Sequence, residues 1–240
     1  GLAMAALVVC QPNVSNAVFI ILLTFTMLFI GGCRTLHLLS AGAAIIAASA
    51  PFLYRFGHVS GRVRSFLGGG ADADGLGYHV DQSLIALGSG FLFGAGPGRG
   101  HQKYNFLPDA HTDFIYSIIG EELGIIGTAC VLALFAFLLL RAIRAARRVP
   151  DRFGALLALG IGFSIAGTAF INMSMTLGLL PTAGLPLPFV SYGGSSLMTS
   201  LAATGILLNV SRHGPVVATT AKKRNGRRRV YARRVGEAVA

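Results

Sequence analysis

The sequence has few charged residues, and its acidic residues are scarcer than its basic ones. Only 12% of the 240 residues are charged, whereas 53% are hydrophobic. A soluble globular domain carries about 25% charged residues. This deficit excludes an ordinary soluble domain and indicates that lipid is the main solvent of the protein.

Cysteine is also rare, and its positions exclude a disulfide framework or a zinc site. The chain has three cysteines, Cys10, Cys33 and Cys130, which lie in or beside apolar runs without the spacing of metal ligands. We interpret them as small buried hydrophobic residues.

Apolar runs occupy most of the chain, and five of them are long enough to cross a membrane, for which roughly 20 apolar residues are needed. A further run, Leu2–Val9, is too short, and we interpret it as the tail of a helix. The chain is therefore expected to be the C-terminal portion of a longer protein. The five longer runs are Val14–Ile30, Leu36–Leu53, Phe114–Leu140, Phe153–Leu180 and Ser191–Val210.

Basic residues collect on one side of the predicted bundle. Fifteen of the 20 Lys and Arg residues lie at Arg34, between Arg141 and Arg152, or between Arg212 and Arg234, and alternation of the spans places these regions on one side. The positive-inside rule makes that side cytoplasmic. We expect a membrane domain over residues 1–212 and a basic cytoplasmic tail over 213–240. Such a tail attracts anionic membrane lipids, and its place directly after a span argues against nucleic-acid binding.

The segment of about residues 55–111 is the long connection on the outer side. A loop this long in a compact bundle is usually functional or disordered. Its apolar and aromatic residues predict that it folds against the bundle, with a short interfacial helix over Val80–Leu87. The glycine-rich stretch Gly88–Gly100 lacks the Lys-Ser/Thr ending of a nucleotide loop. We interpret it as backbone that packs close to a helix, while Arg99 and Lys103 leave open a contact with a lipid-linked pyrophosphate.

Asp113 has two interpretations. It is placed to cap the helix that follows, as is Thr112, because a short side-chain oxygen accepts from a free N–H group. Alternatively it is catalytic, since Asp113, Ser117 and Glu121 share one helical face. That face, with Glu122 beside it, must meet water, a polar cavity or a cation, because burying a charge in lipid is costly. An interfacial role that orients the helix remains open for the two glutamates.

A second polar cluster lies in Leu180–Leu197, where three prolines exclude a regular helix. Irregular backbone at membrane depth is tolerated only beside protein or a water-filled cavity. Small residues that allow close helix packing are one explanation. The other is a polar cavity wall that faces Asp113 from the same outer side; its polar residues are Ser191, Tyr192, Ser195 and Ser196.

Together these segments resemble the SEDS family (shape, elongation, division and sporulation), and its cell-division branch more than its elongation branch. The matching stretches are QPN at 11–13, ALGSGFLFGAG at 86–96, QKYNFLPDAHTDFIYSIIGEELGIIG at 102–127 and GLLPTAGLPLPFVSYGGSS at 178–196. Ala110 before His111 favours the division branch. The chain departs from the family's usual pattern after Ser65–Leu67, where glycines replace an acid-Pro-Trp segment, and at Asp109, where Glu is usual.

The resemblance implies an all-α polytopic membrane protein, here the C-terminal part of a bundle of about ten helices. It implies polymerisation of lipid II at the outer face of the bacterial cytoplasmic membrane. The partners would be a class B penicillin-binding protein and other membrane proteins of the division machinery. The family's essential acid falls on Asp113, which we expect to be the base. Expected substrate contacts come from Arg62, Arg64, Arg99, Lys103, His111, Thr112, Ser191, Tyr192, Ser195 and Ser196.

Three questions stay open from the sequence. A divalent cation, Mg²⁺ or Mn²⁺, is compatible with the pyrophosphate chemistry but has no evident ligand set. A lipid II flippase is a rival function, and it would need polar residues near the bilayer midplane, where Ser164 and Asn172 are the candidates. A non-catalytic scaffold of the division machinery is the third possibility, and it predicts that Asp113 is replaceable.

Overall fold

The chain forms an all-helical bundle in the computed structural model, which describes residues 14–55, 76–100 and 111–212 together with Gly1, Met4, Ala5 and Val8. Within these residues six helices have defined bounds, Met4, Ala5 and Val8 are also helical, and there is no strand. The helices are α1 Val14–Ile30, α2 Thr35–Arg55, α3 Leu76–Ser89, α4 Ile115–Arg148, α5 Arg152–Thr176 and α6 Gly194–Arg212.

Two of the described helices, α4 and α5, are long and apolar enough to cross a membrane. Shorter apolar helices are α1 and the Thr35–Ile45 part of α2. Each of the five longer apolar runs contains a helix, although α5, the helix of the fourth run, ends at Thr176 rather than Leu180. The chain turns there because Gly178 takes φ +69° and Leu179 N–H donates back to Ser174.

The bundle is built around α4 and α5, which share the largest contact, with α3 packed on α4 and α6 packed on both. One core lies towards the start of α4 and includes Tyr116, Phe135, Ile165 and Met173. At the other end Ala142, Ala146 and Ala158 pack with Leu207 of α6. Small side chains at that end let the helix backbones approach closely.

Helix α4 is interrupted at Gly124, whose φ of 67° and ψ of −164° lie outside the helical region. The interruption removes the bonds from Ile125 N–H to Glu121 C=O and from Ile126 N–H to Glu122 C=O. The glycine-rich loop replaces both. Ile125 and Ile126 donate to the carbonyls of Phe91 and Leu92 at 2.9 and 3.4 Å, and the two glutamate carbonyls accept from Ala95 and Gly96 at 2.9 and 3.0 Å.

This exchange requires the loop backbone to lie against the backbone of α4. A Cβ added at Gly90 would fall 1.9 Å from the Gly120 carbonyl oxygen, so only glycine fits there. The interpretation of the glycine-rich stretch Gly88–Gly100 as backbone that packs close to a helix is confirmed, because its main chain contacts that of α4. The predicted helix over Val80–Leu87 is also present, as part of α3.

The expectation that Thr112 or Asp113 caps the next helix is wrong. The helix begins at Ile115, and its N-cap residue is Phe114, which makes no side-chain capping hydrogen bond. Asp113 therefore lies before the helix and does not share a helical face with Ser117 and Glu121. The physical reason is that the main-chain carbonyl of Asp113 accepts a hydrogen bond from the Asn172 side chain of α5.

The cysteine interpretation is wrong for two of the three residues. Cys33 and Cys130 are both exposed on the bundle, because Cys33 lies in the turn after α1 and Cys130 lies on the outward surface of α4. Cys10 lies outside the described residues, as do Arg62, Arg64, Lys103 and the tail 213–240.

Replacing Gly124 by alanine should lower the free energy of unfolding by about 3 kcal/mol, because this backbone conformation is almost confined to glycine. The added Cβ would also meet the Leu92 carbonyl oxygen at 2.5 Å. Thermal unfolding of the intact protein in detergent measures the change. Gly205→Ala on α6 is the control, since a Cβ there meets nothing within 4 Å. Equal midpoints for the two variants would contradict the role of the break.

Candidate active site

Three consecutive main-chain carbonyls, those of residues 111 to 113, are each held by a donor from a distant part of the chain. The His111 carbonyl accepts from Tyr192 N–H at 2.9 Å. The Thr112 carbonyl accepts from the Ser191 hydroxyl at 2.5 Å. The Asp113 carbonyl accepts from the Asn172 side-chain amide at 2.8 Å. We call this arrangement the carbonyl clamp.

Asn172 connects the clamp to the proline-rich segment. The same amide nitrogen donates to the Leu185 carbonyl at 2.8 Å, and the side chain is 0% exposed. Its oxygen has no hydrogen-bond partner within the described residues. The amide therefore contributes through its two donated bonds, which fix Asp113 relative to residues 183–187.

The proline-rich segment is held in an irregular but defined path. Ser191 accepts from Leu187 N–H at 2.7 Å while it donates to Thr112, so its hydroxyl joins two non-helical stretches. Ala183 N–H points at the sulfur of Met175 at 2.9 Å. Leu187 is 0% exposed and belongs to the main core. The polar cluster predicted at Leu180–Leu197 thus lies against the residues around Asp113, as the sequence suggested.

The Asp113 side chain is half-buried and lies beside Gly184, where an added Cβ would be 3.8 Å from Asp113 Oδ2. The next residue, Phe114, is buried with Ile118 and Met175. Its ring stacks on His79 of α3, with 6.0 Å between the ring centroids. The turn that holds the Asp113 carboxylate therefore packs on apolar side chains.

An apolar groove of about 370 Å³ runs along the other side of residues 183–185. Its size falls within the range of small-molecule sites, about 300–1,000 Å³. Ala183 and Leu185 line the groove, and Gly184 between them lies beside the Asp113 carboxylate. The groove and the carboxylate therefore contact the same short segment. The lining residues are Val14, Ser15, Val18, Phe19, Leu22, Ile171, Leu180, Pro181, Thr182, Ala183 and Leu185.

The comparisons with known proteins decide the family. The model of the FtsW, RodA and SpoVE family of cell cycle proteins matches residues 2–215. The chain belongs to this family. Within these SEDS proteins it is most like FtsW, and the family is one of membrane proteins. The expected resemblance to the cell-division branch is confirmed.

Curated relatives match most of this chain but only part of their own length. A Trichlorobacter lovleyi protein named probable peptidoglycan glycosyltransferase FtsW is 44% identical over 84% of this chain and 53% of its own. Stage V sporulation protein E of Bacillus subtilis is 40% identical over 86% of this chain and 57% of its own. The chain therefore spans about half the length of the curated relatives it matches.

Solved structures agree with this SEDS fold. A chain from work on the structural coordination of polymerization and crosslinking by a peptidoglycan synthase complex matches with a TM-score of 0.68 and 28% identity. That match covers 90% of this chain and 60% of the other. A mutant of the Thermus thermophilus rod shape determining protein RodA matches with a TM-score of 0.59 and 27% identity, over 89% of this chain and 55% of its own.

The other expected site residues are distributed unevenly in this SEDS chain. His111 is exposed and Thr112 half-buried in the clamped turn, and Tyr192 is 86% exposed beside it. Ser195 is exposed and Ser196 half-buried at the start of α6, where their carbonyls accept from Thr199. Arg99 is exposed in the glycine-rich loop, where its main-chain N–H donates to the Gly96 carbonyl at 3.1 Å.

The paired glutamates anchor the glycine-rich loop. Glu121 is 3% exposed and lies beside Gly100, where a Cβ would be 2.8 Å from Glu121 Oε2. Glu122 Oε2 accepts from Gly98 N–H at 2.9 Å. An acid at this position gives strong hydrogen bonds to backbone N–H groups. Both side chains therefore meet the loop, which provides the polar surroundings that the sequence required of them.

Two parts of the site were not identified from the sequence. Asn172 was a candidate only for a transport path, yet a buried Asn in an apolar run always needs partners, and that signal was available. The second is a buried contact of Ser83 of α3 with the Ser117 hydroxyl at 2.5 Å and with the Thr176 carbonyl at 2.7 Å. It ties α3 to α4 and α5, and it engages Ser117 away from Asp113.

The described residues hold no group of three or more His, Cys, Asp or Glu side chains placed to bind a cation. A divalent cation, Mg²⁺ or Mn²⁺, stays a prediction, because Mg²⁺ is usually held by one or two carboxylates together with substrate phosphates.

Replacing Asn172 by leucine should lower the free energy of unfolding by about 2–6 kcal/mol, because two carbonyls would lose their donor and each costs about 1–3 kcal/mol when left unpaired. Thermal unfolding of the intact protein measures this loss. Ser164→Ala on the same helix is the control and should change stability by less than about 0.5 kcal/mol. An Asn172→Leu variant as stable as wild type would show that the amide does not hold the turn.

Proposed function

We propose that the protein is a peptidoglycan glycosyltransferase that polymerises lipid II into glycan strands during cell division, with Asp113 as its catalytic base. The observation that carries this proposal is the carbonyl clamp. It fixes the main chain on both sides of one carboxylate, and a base must be held in place before it can act efficiently. The names of the curated relatives support the reaction class.

The reaction joins two lipid-linked saccharides. The 4-hydroxyl oxygen of the acceptor GlcNAc forms a bond to the anomeric carbon of the growing chain, and its proton passes to the Asp113 carboxylate. The bond between the anomeric carbon and the pyrophosphate oxygen breaks, and polyprenyl pyrophosphate leaves with the electron pair. A base that takes the hydroxyl proton in the transition state contributes about 10²–10⁴-fold in rate.

The apolar groove supports a lipid-linked substrate. Its lining belongs to α1, α5 and residues 180–185, and residues of the same segment flank the Gly184 that faces Asp113. A polyprenyl chain bound in the groove would bring its head group towards the carboxylate. The groove's lining is almost entirely apolar, which suits a hydrocarbon chain better than a sugar.

The remaining expected contacts divide into sugar and pyrophosphate ligands. His111, Thr112, Ser191, Tyr192, Ser195 and Ser196 lie in or near the clamp, and the exposed Tyr192 ring offers a stacking surface for a sugar. Cations must stabilise the leaving pyrophosphate. Arg99 is the described candidate, and Arg62, Arg64 and Lys103 are candidates outside the described residues.

The partner in this proposal is a class B penicillin-binding protein, with other membrane proteins of the division machinery. The support is the similarity to a chain from a peptidoglycan synthase complex that coordinates polymerization and crosslinking. The active site would face the outer side of the cytoplasmic membrane and the C-terminus the cytoplasm, as the distribution of basic residues predicts.

Replacing Asp113 by asparagine should lower glycan-strand formation by at least about 100-fold, because asparagine cannot take the proton. The measurement uses purified lipid II and the intact protein with its penicillin-binding partner. Asp81→Asn removes an exposed acid from α3 and should leave the rate unchanged.

The outcomes separate the three functions. Polymer from wild type and Asp81→Asn, but none from a folded Asp113→Asn complex, supports the proposal. Equal amounts of polymer from wild type, Asp81→Asn and Asp113→Asn would show that Asp113 is not catalytic. If none polymerises and vesicles containing the wild type translocate lipid II, the protein is a flippase; if neither activity appears and Asp113→Asn still supports division in cells, it is a scaffold.

A further inference from the structure

A small basic pocket lies at the end of the bundle opposite Asp113, between the last turns of α4 and α6. Its volume is about 120 Å³, well above the roughly 10–15 Å³ that one water requires, so a phosphate group fits. We call it the arginine pocket. It is lined by Arg141, Arg144, Ala145, Arg148, Leu207, Leu208 and Ser211.

The three arginines share one face of α4, because positions three and seven residues apart lie on the same side of a helix. All three are exposed, and none forms an ion pair within the described part of the chain. The described acid at this end, Asp151, accepts from Gly154 N–H as the cap of α5. The pocket therefore holds several positive charges that no described side chain neutralises.

Close packing of the helices creates the pocket. Ala142 and Ala146 of α4 are buried against Ala158 and Leu207, and a Cβ added at Gly162 would lie 2.4 Å from Ala142 Cβ. Because α4 is held tightly on this alanine face, the neighbouring face with the arginines opens beside α6. Ser211 already donates its hydroxyl proton to the Leu208 carbonyl at 2.7 Å, so the arginines are the pocket's donors.

The pocket also has apolar lining from Leu207 and Leu208 of α6, of which Leu208 is 58% exposed. Leu140 precedes Arg141 on α4, lies outside the pocket lining and is 50% exposed. A ligand for this site should therefore be negatively charged at the arginines and hydrocarbon along the leucines. An anionic phospholipid combines a negatively charged head group with hydrocarbon chains, and basic pockets between membrane helices are known to bind such head groups.

We propose that the arginine pocket binds the phosphate group of an anionic membrane phospholipid, whose acyl chains lie along the exposed leucines of α4 and α6. Guanidinium groups bind phosphate oxygens through paired hydrogen bonds. The 34 residues of α4 span about 50 Å at 1.5 Å per residue, so a lipid there does not reach Asp113. The site is thus separate from the proposed polymerase site.

Native mass spectrometry of the intact protein in detergent tests this site, with phosphatidylglycerol and phosphatidylcholine as the two probes. Wild type should retain phosphatidylglycerol in preference to phosphatidylcholine. Each of Arg141→Gln, Arg144→Gln and Arg148→Gln should weaken phosphatidylglycerol binding about fivefold, and the triple variant about 100-fold. Arg147→Gln is the charge-matched control, because Arg147 is exposed on the same helix but does not line the pocket; it should change binding less than about twofold.

Three results would overturn the proposal. They are unchanged phosphatidylglycerol binding in the triple variant, an equal loss in Arg147→Gln, and displacement of the lipid by equimolar inorganic phosphate, which would make the ligand a free anion. The triple Arg→Lys variant guards against a misfolded glutamine variant. This variant keeps the positive charge but loses the paired hydrogen bonds of the guanidinium groups. Phosphatidylglycerol affinity between those of the wild type and the triple glutamine variant would support the site. Affinity equal to that of the wild type would contradict it, because the binding would then depend on surface charge alone.

Discussion

Main-chain polar groups that face hydrocarbon have no water to bind, and each one left unpaired costs several kcal/mol. Within the described residues, this constraint explains two irregular stretches, the break at Gly124 and the turn at residues 111–113. At Gly124 two helical hydrogen bonds are lost from α4, and the glycine-rich loop supplies the missing donors and acceptors. The loop is held in return, because the main chains of Phe91, Leu92, Ala95 and Gly96 all bond to α4.

The same constraint explains why Asp113 is not a helix cap. Its carbonyl and those of the two preceding residues accept from Asn172, Ser191 and Tyr192, which keeps the turn outside the helix. A capping aspartate would direct its carboxylate at the N–H groups of its own helix. Held in the clamp, Asp113 is instead half-buried beside Gly184, next to the apolar groove, a placement compatible with the base role proposed above.

The two ends of the bundle differ in how they are built. The end with Asp113 is irregular, with prolines, glycines and buried polar side chains such as Asn172, Ser191 and Ser83 that bond to distant parts of the chain. The other end is regular, with alanines that bring α4, α5 and α6 together and arginines that stay exposed on the surface of α4. This division places the proposed catalytic site at one end of the bundle and the proposed phospholipid site at the other.

Composition and run length were enough to predict an all-α membrane bundle, the helices within its apolar runs and the short helix before the glycine-rich loop, because these depend on local patterns and on the lipid solvent. The motifs around Asp113 and Tyr192 were enough for the family. The break at Gly124, the clamp on residues 111–113 and the role of Asn172 were decided only by tertiary structure. Each depends on hydrogen bonds between residues far apart in the chain, and no local pattern records which distant donor reaches a given carbonyl.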